Sequence, residues 1–366
     1  MRIGIDCTLL QKASYTGVEN YTVRLIKSFL RANALNQYVF FFRKGIPNAL
    51  ATWDKSRFEA MISPTSNRVI TDQIWMPRAV TKARINLLHC PAFPSPLLVR
   101  VPAVLTIHDA VPWRYPETLS KGMHFYYRPL FPQAIRKAKR IIADSLSTKN
   151  DLSEIFPHAK DKLRVIHLAG DPHVFGDSGF PADRSNTYLK AKRYVLTVGS
   201  IEPRKNLAGL LRAFELAAPN INADIHLKIV GRKAWQKDLE IPQAIKDRVI
   251  FTGYIPSDQV LAEIYRNALL FVLPSFYEGF GLPVLEAMWA GTPVLCSRTS
   301  SLPEVAGGAA EYADPSRPED FAEKMVRLVQ NASLRVALIT KGYERARLFS
   351  WEKTAQETLA VYEEAV

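Results

Sequence analysis

Pro274-Ser-Phe-Tyr-Glu278-Gly279-Phe280-Gly281-Leu282-Pro283-Val-Leu-Glu286-Ala-Met-Trp-Ala-Gly291 lies between two short unbroken apolar runs, Leu269-Leu-Phe-Val-Leu273 before it and Thr292-Pro-Val-Leu-Cys296 after it. Runs of that length without polar alternation read as strands buried on both faces, as in parallel sheets. Pro283 suits the first helical position and Gly291 the residue past the last, so a helix is predicted over roughly Pro283 to Ala290. Strand, glycine-rich turn, helix and strand make a parallel βαβ unit. Gly279 and Gly281 allow the turn's N–H groups to approach an anion closely.

Glu278 and Glu286 flank that turn, with seven residues between them. Taken singly, one is a loop carboxylate and the other a charge that complements the helix dipole. Together they suit a ligand with phosphates in its middle, for the helix start, and hydroxyl groups at both ends, for the carboxylates. A nucleotide-sugar is such a ligand. The stretch Glu278 to Glu286 resembles the E-x7-E signature of the retaining glycosyltransferases of family 4, which have the GT-B fold. That resemblance implies that Glu278, Phe280 and Gly281 address the donor sugar and Glu286 the ribose, with Gly279 and Leu282 in the same donor site.

A chain of 366 residues is long for one core, and two domains are expected. Residues 1–185 hold 26 Lys and Arg against 14 Asp and Glu, or +12, and residues 186–366 hold 22 against 21, or +1. A basic half fits nucleic acid, an anionic membrane surface or an acidic substrate. No helix-turn-helix, zinc-finger or RNA-recognition signature is present, which sets nucleic acid aside. Cys7, Cys90 and Cys296 lack C-x-x-C spacing and point to a reducing compartment. The N-terminus breaks its apolar run too early for a signal peptide, and no apolar stretch reaches membrane-spanning length. A cytoplasmic protein is expected, peripheral on the inner face of the cell membrane.

In chain order, strands are predicted at Arg2–Asp6, Tyr38–Phe42, Arg84–His89, Pro102–Ile107, Arg140–Asp144 and Leu163–Ile166. Gly17 stands at the first strand-to-helix turn, where it serves plain turn chemistry or close approach to a ligand. His108-Asp109 follows the strand 102–107 at its carboxyl end, where open α/β sheets place ligands. The family resemblance puts His108 near donor sugar and acceptor. Lys121 to Arg140 is basic and aromatic, with Tyr126, Tyr127, Arg136, Lys137 and Lys139, and reads equally as a solvated helix or a membrane-surface helix. The Gly-, Pro- and Ser-containing segment 176–185 is expected to be the interdomain linker.

The second half restarts with strand Tyr194–Val198, then Gly199-Ser-Ile-Glu202-Pro203-Arg204-Lys205-Asn206 and a helix over Leu207–Ala217. Arg204 can fork onto phosphate oxygens and Lys205 supply a point charge, and the Arg-Lys-Asn match to the family falls at the same place. Tyr254 and Ile255, after the strand that starts at Val249, correspond to the family's nucleotide-base turn. Ser301-Leu-Pro303-Glu304-Val305 also resembles the family. Phe349 onward is predicted as a final amphipathic helix, and the family resemblance implies that it returns to the first domain.

The expected architecture is α/β, GT-B: two Rossmann-like domains facing across a cleft, with boundaries 1–180, 186–348 and 349–366. By resemblance, the expected function is retaining transfer of a hexose, mannose from GDP-mannose, to a glycan or polyprenyl-linked acceptor in surface-polysaccharide assembly. His108, Glu278, Arg204 and Lys205 are the catalytic candidates. No cofactor beyond the nucleotide-sugar and no metal are expected, because Arg204 and Lys205 stand where a divalent ion would neutralise the diphosphate. A nicotinamide-dependent oxidoreductase is disfavoured by Val284 in place of a third glycine. An epimerase of the same architecture, a UDP-sugar transferase and a non-catalytic nucleotide-binding protein remain the alternatives.

Overall fold

The computed structural model describes residues 1–11, 17–32, 36–47, 50, 53–93, 95–118, 121–176, 194–232 and 239–366. Contacts divide the chain into Met1–Leu168 with Trp351–Val366, and Ala169–Ser350. Each unit is built on its own parallel sheet.

In the first unit the strands are β1 (Arg2–Asp6), β2 (Gln37–Phe42), β3 (Phe58–Ile62), β4 (Leu87–Cys90), β5 (Ala103–Ile107), β6 (Arg140–Ala143) and β7 (Leu163–Val165), in the order β3-β2-β1-β4-β5-β6-β7. The central strands are apolar on both faces because helices cover both, and β4 and β5 are buried throughout. Those helices are α1 (Gly17–Ala32), α2 (a run over 68–83), α3 (Lys121–Lys137), α4 (Leu146–Ile155) and α10 (Trp351–Ala365). Within α2, Thr71–Trp75 forms a π turn between Arg68–Ile70 and Met76–Ala83.

The second unit holds β8 (Tyr194–Val198), β9 (His226–Val230), β10 (Val249–Gly253), β11 (Leu270–Leu273), β12 (Val294–Ser297) and β13 (Glu311–Ala313), in the order β10-β9-β8-β11-β12-β13. Its helices include α5 (Leu207–Ala217), α6 (Asp258–Arg266), α7 (Leu282–Trp289), α8 (Pro318–Gln330) and α9 (Ala332–Ala346). The chain winds one way from β8 to β10 and the other way from β11 to β13. The switch point therefore lies at the carboxyl ends of β8 and β11, where a doubly wound sheet opens a ligand crevice. The fold class expected from the sequence, two Rossmann-like α/β domains, is the one observed.

Two boundaries differ from expectation. The second unit begins at Ala169, ahead of the expected domain end at 180, because Gly170 lies against α7 so closely that a Cβ there would sit 2.6 Å from Trp289 Cδ1. Most of the expected linker, 177–185, lies outside the described residues. The return to the first unit starts at Trp351, two residues after Phe349. Helix α10 is held there by Thr354 Oγ1, which donates to His167 O at 2.7 Å, and by Tyr362 Oη, 2.6 Å from His89 Nδ1. No described helix is long and apolar enough to cross a membrane.

Candidate active site

Helix α7 starts one residue earlier than the proline suggested, at Leu282, with Gly281 as its N-cap at φ 102°. A side chain at Gly281 would be strained by that dihedral, and its Cβ would lie 2.8 Å from Leu302 Cδ2. Ser301 Oγ lies 2.9 Å from Glu278 O and 2.8 Å from Phe280 O, while Glu278 N donates to Ser300 Oγ at 2.9 Å. The turn before α7 is thus held from both sides.

Opposite it, at the end of β8, Arg204 and Lys205 sit in a 3-10 turn that ends on Asn206 in the left-handed region, φ 54°. Asn206 Nδ2 donates to Pro274 O at 3.1 Å and Pro315 O at 2.7 Å, and Phe276 N donates to Arg204 O at 2.8 Å. The asparagine of the Arg-Lys-Asn trio is therefore the pin that locks the β8 turn to the β11 turn.

The side chains complete the joint. Lys205 Nζ lies 2.6 and 2.7 Å from the two oxygens of Glu278, Ser275 Oγ donates to Glu278 Oε1 at 2.6 Å, and Arg204 Nη1 reaches Tyr277 O at 3.2 Å and Glu278 Oε2 at 3.5 Å. Arg204 Nε donates to Glu202 at 2.9 Å. Burial alone would raise the Glu278 pKa, but the charges of Lys205 and Arg204 and the hydrogen bonds hold it below the usual carboxylate range. Burial draws Lys205 down in spite of Glu278. The sequence treated the cations as partners of a diphosphate alone. In the structure Glu278 and Glu202 already balance them, because a carboxylate this buried stays ionised only when paired.

Glu286, on α7, accepts from Tyr265 Oη at 2.9 Å, and burial raises the Tyr265 pKa well above its ordinary value, with the Glu286 charge adding to it. This neutral donor orients the carboxylate. Gly199 follows β8, its N–H donating to Val230 O at 2.9 Å. Tyr254 follows β10 with the Arg232 guanidinium 4.0 Å above its ring, and Ile255 comes next. Arg232, Ser275, Ser300 and Tyr265 were not singled out from sequence; only their nearness in the fold marks them.

The first unit carries the remaining candidates. His108 Nδ1 lies 2.7 Å from Asp144 Oδ2 and Nε2 lies 2.9 Å from Pro91 O. Both partners are acceptors, an arrangement that favours the doubly protonated imidazolium, in which both ring nitrogens donate. Burial pushes its pKa down, but the Asp144 charge, its hydrogen bond and the Pro91 carbonyl outweigh that and raise it. So held, the ring favours its protonated, positively charged form. Asp109 forms a turn, accepting from Val111 N at 3.0 Å. Gly17 opens α1, and a Cβ there would meet nothing within 4 Å among the described residues.

The family model described as Glycosyltransferase Family 4 matches residues 15–173, and that described as Glycosyl transferases group 1 matches 181–345. Together the two matches account for nearly the whole chain, which is a glycosyltransferase built of a family 4 domain followed by a group 1 domain. Among relatives, O-antigen chain mannosyltransferase B of Escherichia coli is 29% identical over 96% of this chain and 97% of its own. Serotype-specific mannosyltransferase WbdA of Escherichia coli is 28% identical over 69% of this chain but 32% of its own. HepE of Anabaena, solved in complex with UDP and glucose, superposes with a TM-score of 0.72 at 17% identity over 99% of both chains, a likeness of fold.

Proposed function

We propose that the protein transfers mannose from GDP-mannose to a glycan or polyprenyl-linked saccharide in surface-polysaccharide synthesis, with retention and without a metal ion, at the inner face of the cell membrane. The observation that carries the chemistry is the Arg204–Lys205–Glu278 cluster at the switch point of the second sheet. As the glycosidic bond breaks, negative charge grows on the diphosphate and positive charge on the sugar ring. Lys205 and Arg204, already desolvated and aimed by Glu278, stabilise the first together with the N-terminus of α7, and Glu278 is the negative charge nearest to them for the second. Glu286, oriented by Tyr265, holds the ribose. Retention follows the family resemblance, with the acceptor hydroxyl attacking from the face that the leaving group vacates. Mannose is supported by the full-length likeness to O-antigen chain mannosyltransferase B.

Purified protein offered GDP-mannose, UDP-glucose and a lipid-linked saccharide, with and without EDTA, tests this. Acceptor-dependent release of GDP, unchanged by EDTA, with an α-linked product by NMR, is expected. Turnover with UDP-glucose alone would overturn the donor, loss in EDTA restored by magnesium the metal independence, and a β-linked product the retention. Donor consumption without acceptor, yielding the epimeric sugar, would overturn transfer itself.

A further inference from the structure

In the first turns of α2 the chain is inside out, whereas its later turns bury Met76, Ala79, Val80 and Ala83 in the ordinary way. Thr71 and Asp72 are 0% and 1% exposed, whereas Val69, Ile70 and Ile74 are 47%, 42% and 48% exposed and Ile62, at the end of β3, is 50% exposed. A surface helix normally buries its apolar stripe and shows its polar one. The inversion is locked in place: Asn67 Oδ1 accepts from Ile70 N at 3.1 Å, and Ser63 Oγ lies 3.1 Å from Thr71 Oγ1. The π turn Thr71–Trp75 adds a residue to the helical turn and shifts its phase, and Asp72 points inward with Arg68 Nε at 3.3 Å.

The same run is basic. Ile70, Ile74, Arg78 and Lys82 recur every four residues, all exposed. Between Glu59 and Asp109 the only acidic residue is the buried Asp72, against five cations. By contrast, α3, the segment whose basic and aromatic composition suggested a membrane helix, has spent its described apolar face. Phe131, Ala134 and Ile135 are core residues there, and among the described residues those that point outward are Arg128, Gln133, Arg136 and Lys137 with the two prolines Pro129 and Pro132. The Tyr126 and Tyr127 side chains lie outside the described residues.

We propose that helix α2, with Ile62, is the surface by which the first unit lies on an anionic bilayer, its isoleucines and Val69 entering the headgroup layer while Arg78 and Lys82 pair with lipid phosphates. Apolar side chains ahead of a basic ridge are complementary to such a surface. A second copy of the chain is a poorer occupant, since it would set like charges face to face. The inference deepens the membrane contact proposed above and rests on it, but not on the identity of donor or acceptor.

Sedimentation with phosphatidylcholine vesicles, with and without phosphatidylglycerol, tests it. Wild-type protein is expected to bind the anionic vesicles at low salt and release them as salt screens the charges. Ile70→Ser with Ile74→Ser, and separately Arg78→Glu with Lys82→Glu, should each weaken binding about tenfold or more, while Arg136→Glu should not. All five positions are exposed, so the variants should fold, and donor binding in solution should stay at wild-type strength. Wild-type binding with unaffected α2 variants would overturn the assignment to α2. No wild-type binding to anionic vesicles would overturn the membrane contact itself, leaving the glycosyltransferase reading to its own assay. A dimer dispersed by Ile70→Ser with Ile74→Ser, seen by light scattering without vesicle binding, would replace the bilayer by a second copy.

Discussion

Lys205 Nζ lies 2.6 and 2.7 Å from the two carboxylate oxygens of Glu278, so the cation assigned to the diphosphate and the carboxylate assigned to the sugar form one ion pair before any ligand arrives. Glu278→Ala should therefore act twice. Turnover should fall at least a hundredfold, and the protein should lose about 3–5 kcal/mol, since Lys205 is left charged and buried without its partner. Free nucleotide diphosphate should bind as well as before or better, because the same cations are now unopposed. Calorimetric titration beside turnover numbers and denaturant melts checks this; weakened nucleotide binding would show that Glu278 holds the nucleotide itself.

Glu286→Ala should weaken free nucleotide and donor alike, by roughly ten- to a hundredfold, the worth of a charged hydrogen bond to ribose. Tyr265→Phe removes only the neutral donor that aims Glu286 and should cost about fivefold in the same titration. Equal affinities in wild type and Glu286→Ala would remove Glu286 from the ribose site.

The buried strands were legible because most are short runs dominated by apolar residues, and β1 and β8 fall on the very residues expected. Strand β3 was passed over because Phe58-Glu-Ala-Met-Ile62 is an edge strand, half exposed, and β13 because three residues carry no periodicity. The site was legible as two turns, Gly199–Asn206 and Glu278–Glu286, but not as a joint. Lys205 and Glu278 are 73 residues apart, and only the adjacency of β8 and β11 brings them together. The same holds for His108, whose protonation depends on Asp144, a residue that sequence offers merely as a strand end.

His108 sets a pH dependence of the first unit. Its pKa is raised in the folded state, so the stabilisation is present in full below the unfolded value of about 6.5 and is lost as pH rises through the folded one. The melting temperature of wild type should exceed that of Asp144→Asn by about 2–4 °C at pH 6, with the gap closing toward pH 9. A gap that stays constant over that range would mean that His108 is not charged.

His89 shows the opposite sign. Burial pushes its pKa down to about 3, so it stays neutral between Thr106 Oγ1 at 2.9 Å and Tyr362 Oη at 2.6 Å. Tyr362→Phe leaves His89 Nδ1 buried without a partner and should cost about 1–3 kcal/mol, with no change in slope between pH 6 and 9. Urea melts at the two pH values measure both.

Helix α10 belongs to the first unit, yet it is translated after the whole of the second. At about 5–20 residues per second, the ribosome leaves Phe29, whose ring lies 5.9 Å from that of Tyr362 in the finished protein, and His89 uncovered for roughly 10–40 s while Ala169–Ser350 is made. The second unit can close on itself during that interval, and the first cannot. Nascent chains halted before residue 351 should thus present an open hydrophobic seam to chaperones, and the order of maturation in the cell runs from the later unit to the earlier.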